Sequence, residues 1–199
     1  MLELLTGLGL SASAGLNAWI PLLVVGLLAR FTPVLTLPSG WEWLSNEWVL
    51  GIIAALLVVE LVADKVPVLD SANDVLQTVI RPSSGGLVFG AGVSAETLTV
   101  SDPATLFHDH SWVPIAIGVV IALVVHLIKS GVRVALNSVS LGLSAPLLSV
   151  TEDATSAVMS LLAILLPVLV VVLLLGLSWG VWRLLRRVRR RRAARYQPG

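Results

Sequence analysis

The chain has 199 residues, 56% of them hydrophobic and only 13% charged, against roughly 25% charged in an ordinary soluble domain. Residues 183–199 hold eight of the 13 basic side chains, all arginine, while residues 1–182 carry five basic and twelve acidic ones, a net of −7. So little polar surface cannot cover so much apolar chain in water, which excludes a soluble fold; the same composition excludes collagen-like, disordered and coiled-coil proteins.

A spanning helix needs about 20 largely apolar residues. The start, Met1-Leu2-Glu3, has neither a basic stretch nor an Ala-x-Ala cleavage site after its first apolar run, so it reads as a retained first span. That span runs from Leu4 to Ala29 and is closed by Arg30. Ser11, Ser13, Gly15, Asn17 and Pro21 interrupt it, and the expectation is a broken or kinked helix. Phe31 to Glu47 reads as a loop, with Trp41, Trp43 and Trp48 suited to an interfacial aromatic belt. A second span starts at Trp48 and ends near Pro67.

Asp70 to Ile80 reads as a short amphipathic helix on which Asp70, Asp74, Thr78 and Arg81 share one face, four, four and three residues apart. Pro82 to Gly86 follows, then a third, glycine-rich span to about Leu98. Ser101 to Trp112 is a polar loop whose His108-Asp109-His110 suits a metal, although loop side chains of this kind ordinarily face water. The fourth span begins at Val113. Its apolar run to Ile128, broken only by His126, covers roughly 24 Å, short of the roughly 30 Å hydrocarbon core. Either the bilayer thins there, or the helix extends to about Asn137 and places His126, Lys129, Arg133 and Asn137 on one stripe. Ser138 to Ser149 reads as a Gly/Ser/Pro connection. Thr151 then caps the fifth span, Ala154 to Trp182, with Glu152 and Asp153 favoured by the helix dipole, a kink at Pro167, and Trp179 and Trp182 at one interface.

The expected fold is all-α: a polytopic transmembrane helical bundle of about five spans, with broken or re-entrant segments. Residues 1–182 form the helical domain and 183–199 a polybasic cytoplasmic tail. Ala14-Gly15-Leu16-Asn17 echoes Ser130-Gly131-Val132-Arg133, and equivalence of the first and fourth spans would make an inverted repeat. The arginines place the C-terminus in the cytoplasm, the N-terminus outside and Arg30 inside; a re-entrant hairpin would flip that parity. The tail could also bind anionic lipid.

Ionisable groups at membrane depth are costly and are functional candidates. The acids are Glu60, Asp64, Asp70 and Asp74; the bases are Lys65, Arg81, Lys129 and Arg133, with His126 the side chain that changes charge near neutrality. Thr78 and Asn137 complete the candidate site. The carboxylates suit a hard cation, the guanidinium and ammonium groups suit a phosphate, and Glu60 with His126 suits a proton relay. A structural ion-pair network accounts for the same residues equally well. There is no cysteine, and no GxxxxGK[ST], GxGxxG, HExxH or GxSxG; neither an enzyme nor a cofactor is expected.

Three stretches carry a resemblance. The first is Ser13-Ala14-Gly15 with Pro21-Leu22-Leu23. The second runs from Glu60-Leu61 through Ala63-Asp64-Lys65, Pro67, Asp70, Asp74 and Thr78 to Arg81-Pro82. The third is His126, Lys129, Arg133 and Asn137. Together they resemble the small bacterial membrane proteins of domain-of-unknown-function family 4126 over nearly the whole chain, and that resemblance implies no particular activity. Asn17 stands where the family pattern has a basic residue, and Ser138 to Ser149 lacks its Pro-Glu-Pro-like turn. Glu60 to Lys65 is also similar to the E-x-G-D-[KR]-[ST] motif of manganese/calcium–proton exchangers. The spacing differs by one residue, which turns the carboxylate about 100° around a helix, so that site is not carried over. The expected role is a small transporter or channel for an ion or other small charged solute, with membrane lipids around it and no nucleic-acid partner. The alternatives are a non-transporting accessory or scaffold subunit, as a homo-oligomer or within a larger complex, and a carrier of phosphorylated lipid.

Overall fold

A computed structural model describes residues 1–64, 67–100, 112–140 and 145–195. The order is α1 (Leu2–Leu16), α2 (Trp19–Phe31), β1 (Leu35–Thr36), a short 3-10 turn (Glu42–Ser45), α3 (Glu47–Ala63), α4 (Pro67–Ser94), β2 (Glu96–Thr97), α5 (Trp112–Ser140), α6 (Ala145–Leu165) and α7 (Pro167–Arg195). The fold is the expected all-α bundle. Among the described residues, three stretches are long and apolar enough to cross a membrane by length and composition: Trp112–Leu136, Pro146–Leu165 and Pro167–Leu184. The two-residue strands, which pair antiparallel with Leu35 opposite Thr97, were not expected.

The interrupted first span does break, and it doubles back. Asn17 is extended at φ −145°, ψ 127°, while its N–H still closes α1 on Ser13 O. Its side chain then starts α2: Oδ1 accepts from the N–H groups of Trp19 at 3.0 Å and Ile20 at 3.1 Å. From this tip α2 returns along α4. Ser84 Oγ donates to Ala18 O near the tip, and β1, just beyond α2, pairs with β2 just beyond α4. Gly7, early in α1, packs on Phe89 and Val93 of that same end of α4. The arms of 15 and 13 residues reach roughly 20 Å each, too short to span. They form a hairpin with Met1 and Arg30 at one end of the bundle. The expectation of a single broken through-span is corrected in that respect, and Arg30 lies at the end opposite Trp182.

Three further expectations change. The short helix at Asp70–Ile80 and the glycine-rich third span are one helix, α4, with Pro82 inside it. Pro82 has no N–H to give the Thr78 carbonyl one turn earlier, and the helix continues through it all the same; in the same turn Ser83 Oγ donates to Val79 O at 2.8 Å. Gly85 is a close-approach residue and makes no turn: a Cβ there would meet Ala122 Cβ and lie 2.9 Å from Gly118 O of α5. α5 does extend past Ile128, the longer of the two readings. The connection expected at 138–149 is largely helical, with α6 already running at Ala145. Thr151 is therefore mid-helix, where Oγ1 donates to Leu147 O at 2.8 Å, and caps nothing.

The expected fifth span is two helices. α6 stops at Leu165, before Pro167, and α7 turns back: Gly9 of α1 faces both Ala163 of α6 and Val170 of α7, while Leu148 and Trp182 line one cleft. α1 and α4 are antiparallel, as Gly7 against Val93 and Ser11 Oγ donating to Gly85 O at 2.8 Å require. α4 and α5 are antiparallel too, with Gly86 on Ile115 and Thr78 on His126. α1 and α5 thus run the same way, so the echoed Ala14–Asn17 and Ser130–Arg133 stretches lend no support to an inverted repeat.

Small side chains let the hairpin sink into the bundle. Leu10, Ser11, Ala12, Ser13, Ala14, Asn17 and Ala18 are all buried. Ser13 Oγ meets Ser156 O at 2.7 Å, Ser156 Oγ at 2.8 Å and Ser160 Oγ at 2.6 Å, knitting α1 to α6. Asn17→Ala removes the α2 cap together with the bond to α6 described below. A cap alone is worth about 1 kcal/mol, up to about 2, so a stability loss at or above that upper value is expected in thermal unfolding of the detergent-solubilised protein.

Candidate functional site

The hairpin tip lands in a layer of charged side chains. With Asn17 the chain leaves the helix, and the Leu16 carbonyl accepts from Lys129 Nζ at 2.7 Å. Lys129 also pairs with Glu152 Oε2 at 2.9 Å, and the same oxygen takes Arg133 Nη2 at 2.6 Å. One residue on, Asp153 Oδ1 accepts from Asn17 Nδ2 at 2.9 Å. The tip is thus fastened to α5 through a cation and to α6 through a carboxylate.

A second group lies on α3, α4 and α5. Arg81 Nη2 donates to Glu60 Oε1 at 2.8 Å, with side-chain exposures of 0% and 1%. Arg81 Nη1 stands 3.4 Å from His126 Nδ1, and His126 Nε2 stands 3.2 Å from Thr78 Oγ1. A guanidinium only donates, so it faces Nδ1 as an acceptor, and Nε2–H then donates to Thr78. Asp64 accepts from Asn73 Nδ2 at 2.8 Å and from Ser149 Oγ at 3.4 Å, which ties the end of α3 to α4 and α6.

Of the sequence-predicted residues, Glu60, Asp64, Thr78, Arg81, His126, Lys129 and Arg133 come together in this layer. His126, Lys129 and Arg133 do form one buried stripe of α5. Lys65, the side chains of Asp70, Asp74 and Asn137, and the His108-Asp109-His110 stretch lie outside the described residues. Among the described residues no group of three or more His, Asp or Glu side chains is placed to hold a metal.

Sequence reasoning missed Asn17, Glu152 and Asp153 as members. The signal was present: Ser149, Asp153, Ser156 and Ser160 recur at helical spacing, a polar stripe that starts the helix before Thr151. Gln77, one turn before Arg81, was missed as well; it is 2% exposed. Its Oε1, Glu60 Oε2 and Arg81 Nε are buried without a hydrogen-bond partner among the described residues.

Beside the layer, α1, α5, α6 and α7 enclose a cleft of about 510 Å³. Its walls are apolar, with Lys129 and Glu152 its only charged lining residues. Glu152 and Gly180 each stand about 14 residues from Leu166 at the α6–α7 turn, roughly 21 Å of helix. The charged layer is therefore level with Trp179 and Trp182.

A buried charged layer of this kind on a set of apolar helices is what the three quoted stretches carry, and the family model for a domain of unknown function, DUF4126, matches residues 4–187. The chain belongs to that family. DUF4126 membership takes in every helix of the bundle and each charged residue of the layer. No curated protein and no solved structure matches the chain.

Proposed function

We propose that this DUF4126 protein is a small integral-membrane transporter or channel for a charged solute, with the charged layer at the hairpin tip as its transit site. The hairpin is the observation that carries the reading. Discontinuous helices ending at the binding site recur in transporters, where their non-helical backbone is buried in protein or lines a water-filled path. Here the broken backbone meets Lys129, Glu152 and Asp153. The partnerless Glu60 Oε2, Gln77 Oε1 and Arg81 Nε add support, since such atoms ordinarily bind a water or an ion.

The arginines after Trp182 favour a bacterial inner-membrane location with the C-terminus in the cytoplasm. On that reading α3 to α7 alternate in direction across the bilayer, three of them long and apolar enough to cross, and the hairpin enters and leaves from the outer side. The layer, level with Trp179 and Trp182, is approached from the cytoplasmic side.

The test is flux. Purified protein in proteoliposomes is challenged with H⁺, K⁺, Mg²⁺ and inorganic phosphate. Flux of one of these, lost in Lys129→Gln with the thermal unfolding profile retained, supports the reading. Absence of flux for all four, with co-purification of a larger complex from the native membrane, favours the accessory-subunit alternative. That alternative draws on a specific observation too: Arg81, Lys129 and Arg133 each have a carboxylate partner. The phosphorylated-lipid carrier built on Arg81 and Arg133 is the least supported, because Arg81 is fully buried against Glu60.

A further inference from the structure

We infer that the cleft between α6 and α7 is a phospholipid site: one acyl chain lies between the helices and the phosphate rests on Arg186. The inference does not depend on transport.

The cleft's size, about 510 Å³, falls within the range of small-molecule pockets, roughly 300–1,000 Å³. Ala12, Val125, Leu148, Met159, Leu174 and Leu177 among its lining residues make it hydrocarbon-like. Apolar walls of this kind hold water poorly, and left empty the cleft would forfeit the dispersion contacts of its apolar lining side chains. Its surroundings supply the filler. α7 turns Val172 and Leu175 outward at 63% and 67% exposure, so in a bilayer the medium against this hairpin is acyl chain.

The polar end fixes the class of lipid. Trp182 lines the cleft, and the Arg186 guanidinium lies 3.9 Å from the centre of its ring. One turn earlier Arg183 is held 4.9 Å over Trp179. Two cations are thereby fixed against aromatic faces at the headgroup level, where guanidinium forks match phosphate oxygens. On the cleft wall Glu152 is already shared by Lys129 and Arg133, and Lys129 also donates to Leu16 O, so these groups are engaged within the protein. A chain inserted from the mouth, with its phosphate at Arg186, satisfies both ends.

The test uses the full chain in nanodiscs of phosphatidylcholine, doped with a phosphatidylglycerol that carries a mid-chain diazirine. Photolabelled residues are mapped by mass spectrometry. Labelling of Met159 and Leu174 inside the cleft is expected. Ser178→Trp, which fills the cleft from the weakly packed α7 wall, should abolish it. Arg186→Gln, at an exposed position, should raise the phospholipid concentration needed for it about tenfold, the equivalent of about 1.4 kcal/mol, without changing thermal unfolding. Label confined to the outward Val172 and Leu175, or label inside the cleft that is indifferent to both substitutions, overturns the inference. A diazirine fatty acid that labels the cleft as well as the phospholipid does overturns the phosphate assignment.

Discussion

Arg81→Ala will cost about 3–5 kcal/mol of stability, because it strands a buried carboxylate without its cation. Glu60 and Arg81 have side-chain exposures of 1% and 0%, and the pair joins α3 to α4 beside His126 of α5. The double variant Glu60→Met, Arg81→Met removes both charges and keeps the side-chain bulk. Buried ion pairs replaced by apolar side chains of similar size are often neutral or better in stability, so the double variant should unfold close to the wild-type temperature. Thermal unfolding in detergent checks both. A single variant that costs under about 1 kcal/mol would class the pair with solvent-screened ones and contradict its burial. The double variant also separates the functional readings: a stable bundle without flux assigns the pair to transport, and a stable bundle with flux intact assigns it to helix locking.

The second large effect is expected at Gly85. A side chain there meets Ala122 and the Gly118 carbonyl, and one at Gly118 meets the Gly85 carbonyl and Phe89. These are mostly backbone and Cβ obstacles, which yield only if α4 and α5 move apart. Overpacking ordinarily costs about 1–3 kcal/mol, and Gly85→Val should reach or exceed the top of that range. Arg81 lies one turn from Gly85, so the same displacement draws it off His126. Gly131, further along α5, supplies the contrast, since a Cβ there meets nothing within 4 Å. Gly131→Ala should be neutral, or stabilising by up to about 1 kcal/mol through helix propensity. Unfolding temperature with size-exclusion profile measures both, and equal effects at the two glycines would refute the close approach.

The apolar runs and the charged stripes were readable because both are periodic. His126, Lys129 and Arg133 sit where three-and-four spacing puts them, and the break near Asn17 follows from small and polar residues inside an apolar run. Direction was not readable. Nothing local distinguishes a kinked through-helix from a hairpin, because the deciding partners of Asn17 and Leu16 are Asp153 and Lys129, more than a hundred residues away. Proline misled in opposite senses. Pro82 read as a stop, although α4 runs through it and packs closely on α5; Pro167 read as a kink where the chain reverses. Thr151-Glu152-Asp153 matched a helix start so well that the serines on either side were not counted as one stripe, and two members of the charged layer went unrecognised with them.

The hairpin has a consequence for biogenesis. Its tip is fastened by α5 and α6, yet it emerges from the ribosome before either. Until those helices arrive, Leu16 O and Asn17 Nδ2 lack the partners they have in the bundle, and burying them bare is costly. The first arms synthesised must therefore wait at the membrane surface and enter the bundle late, after the segments that follow them are already in place.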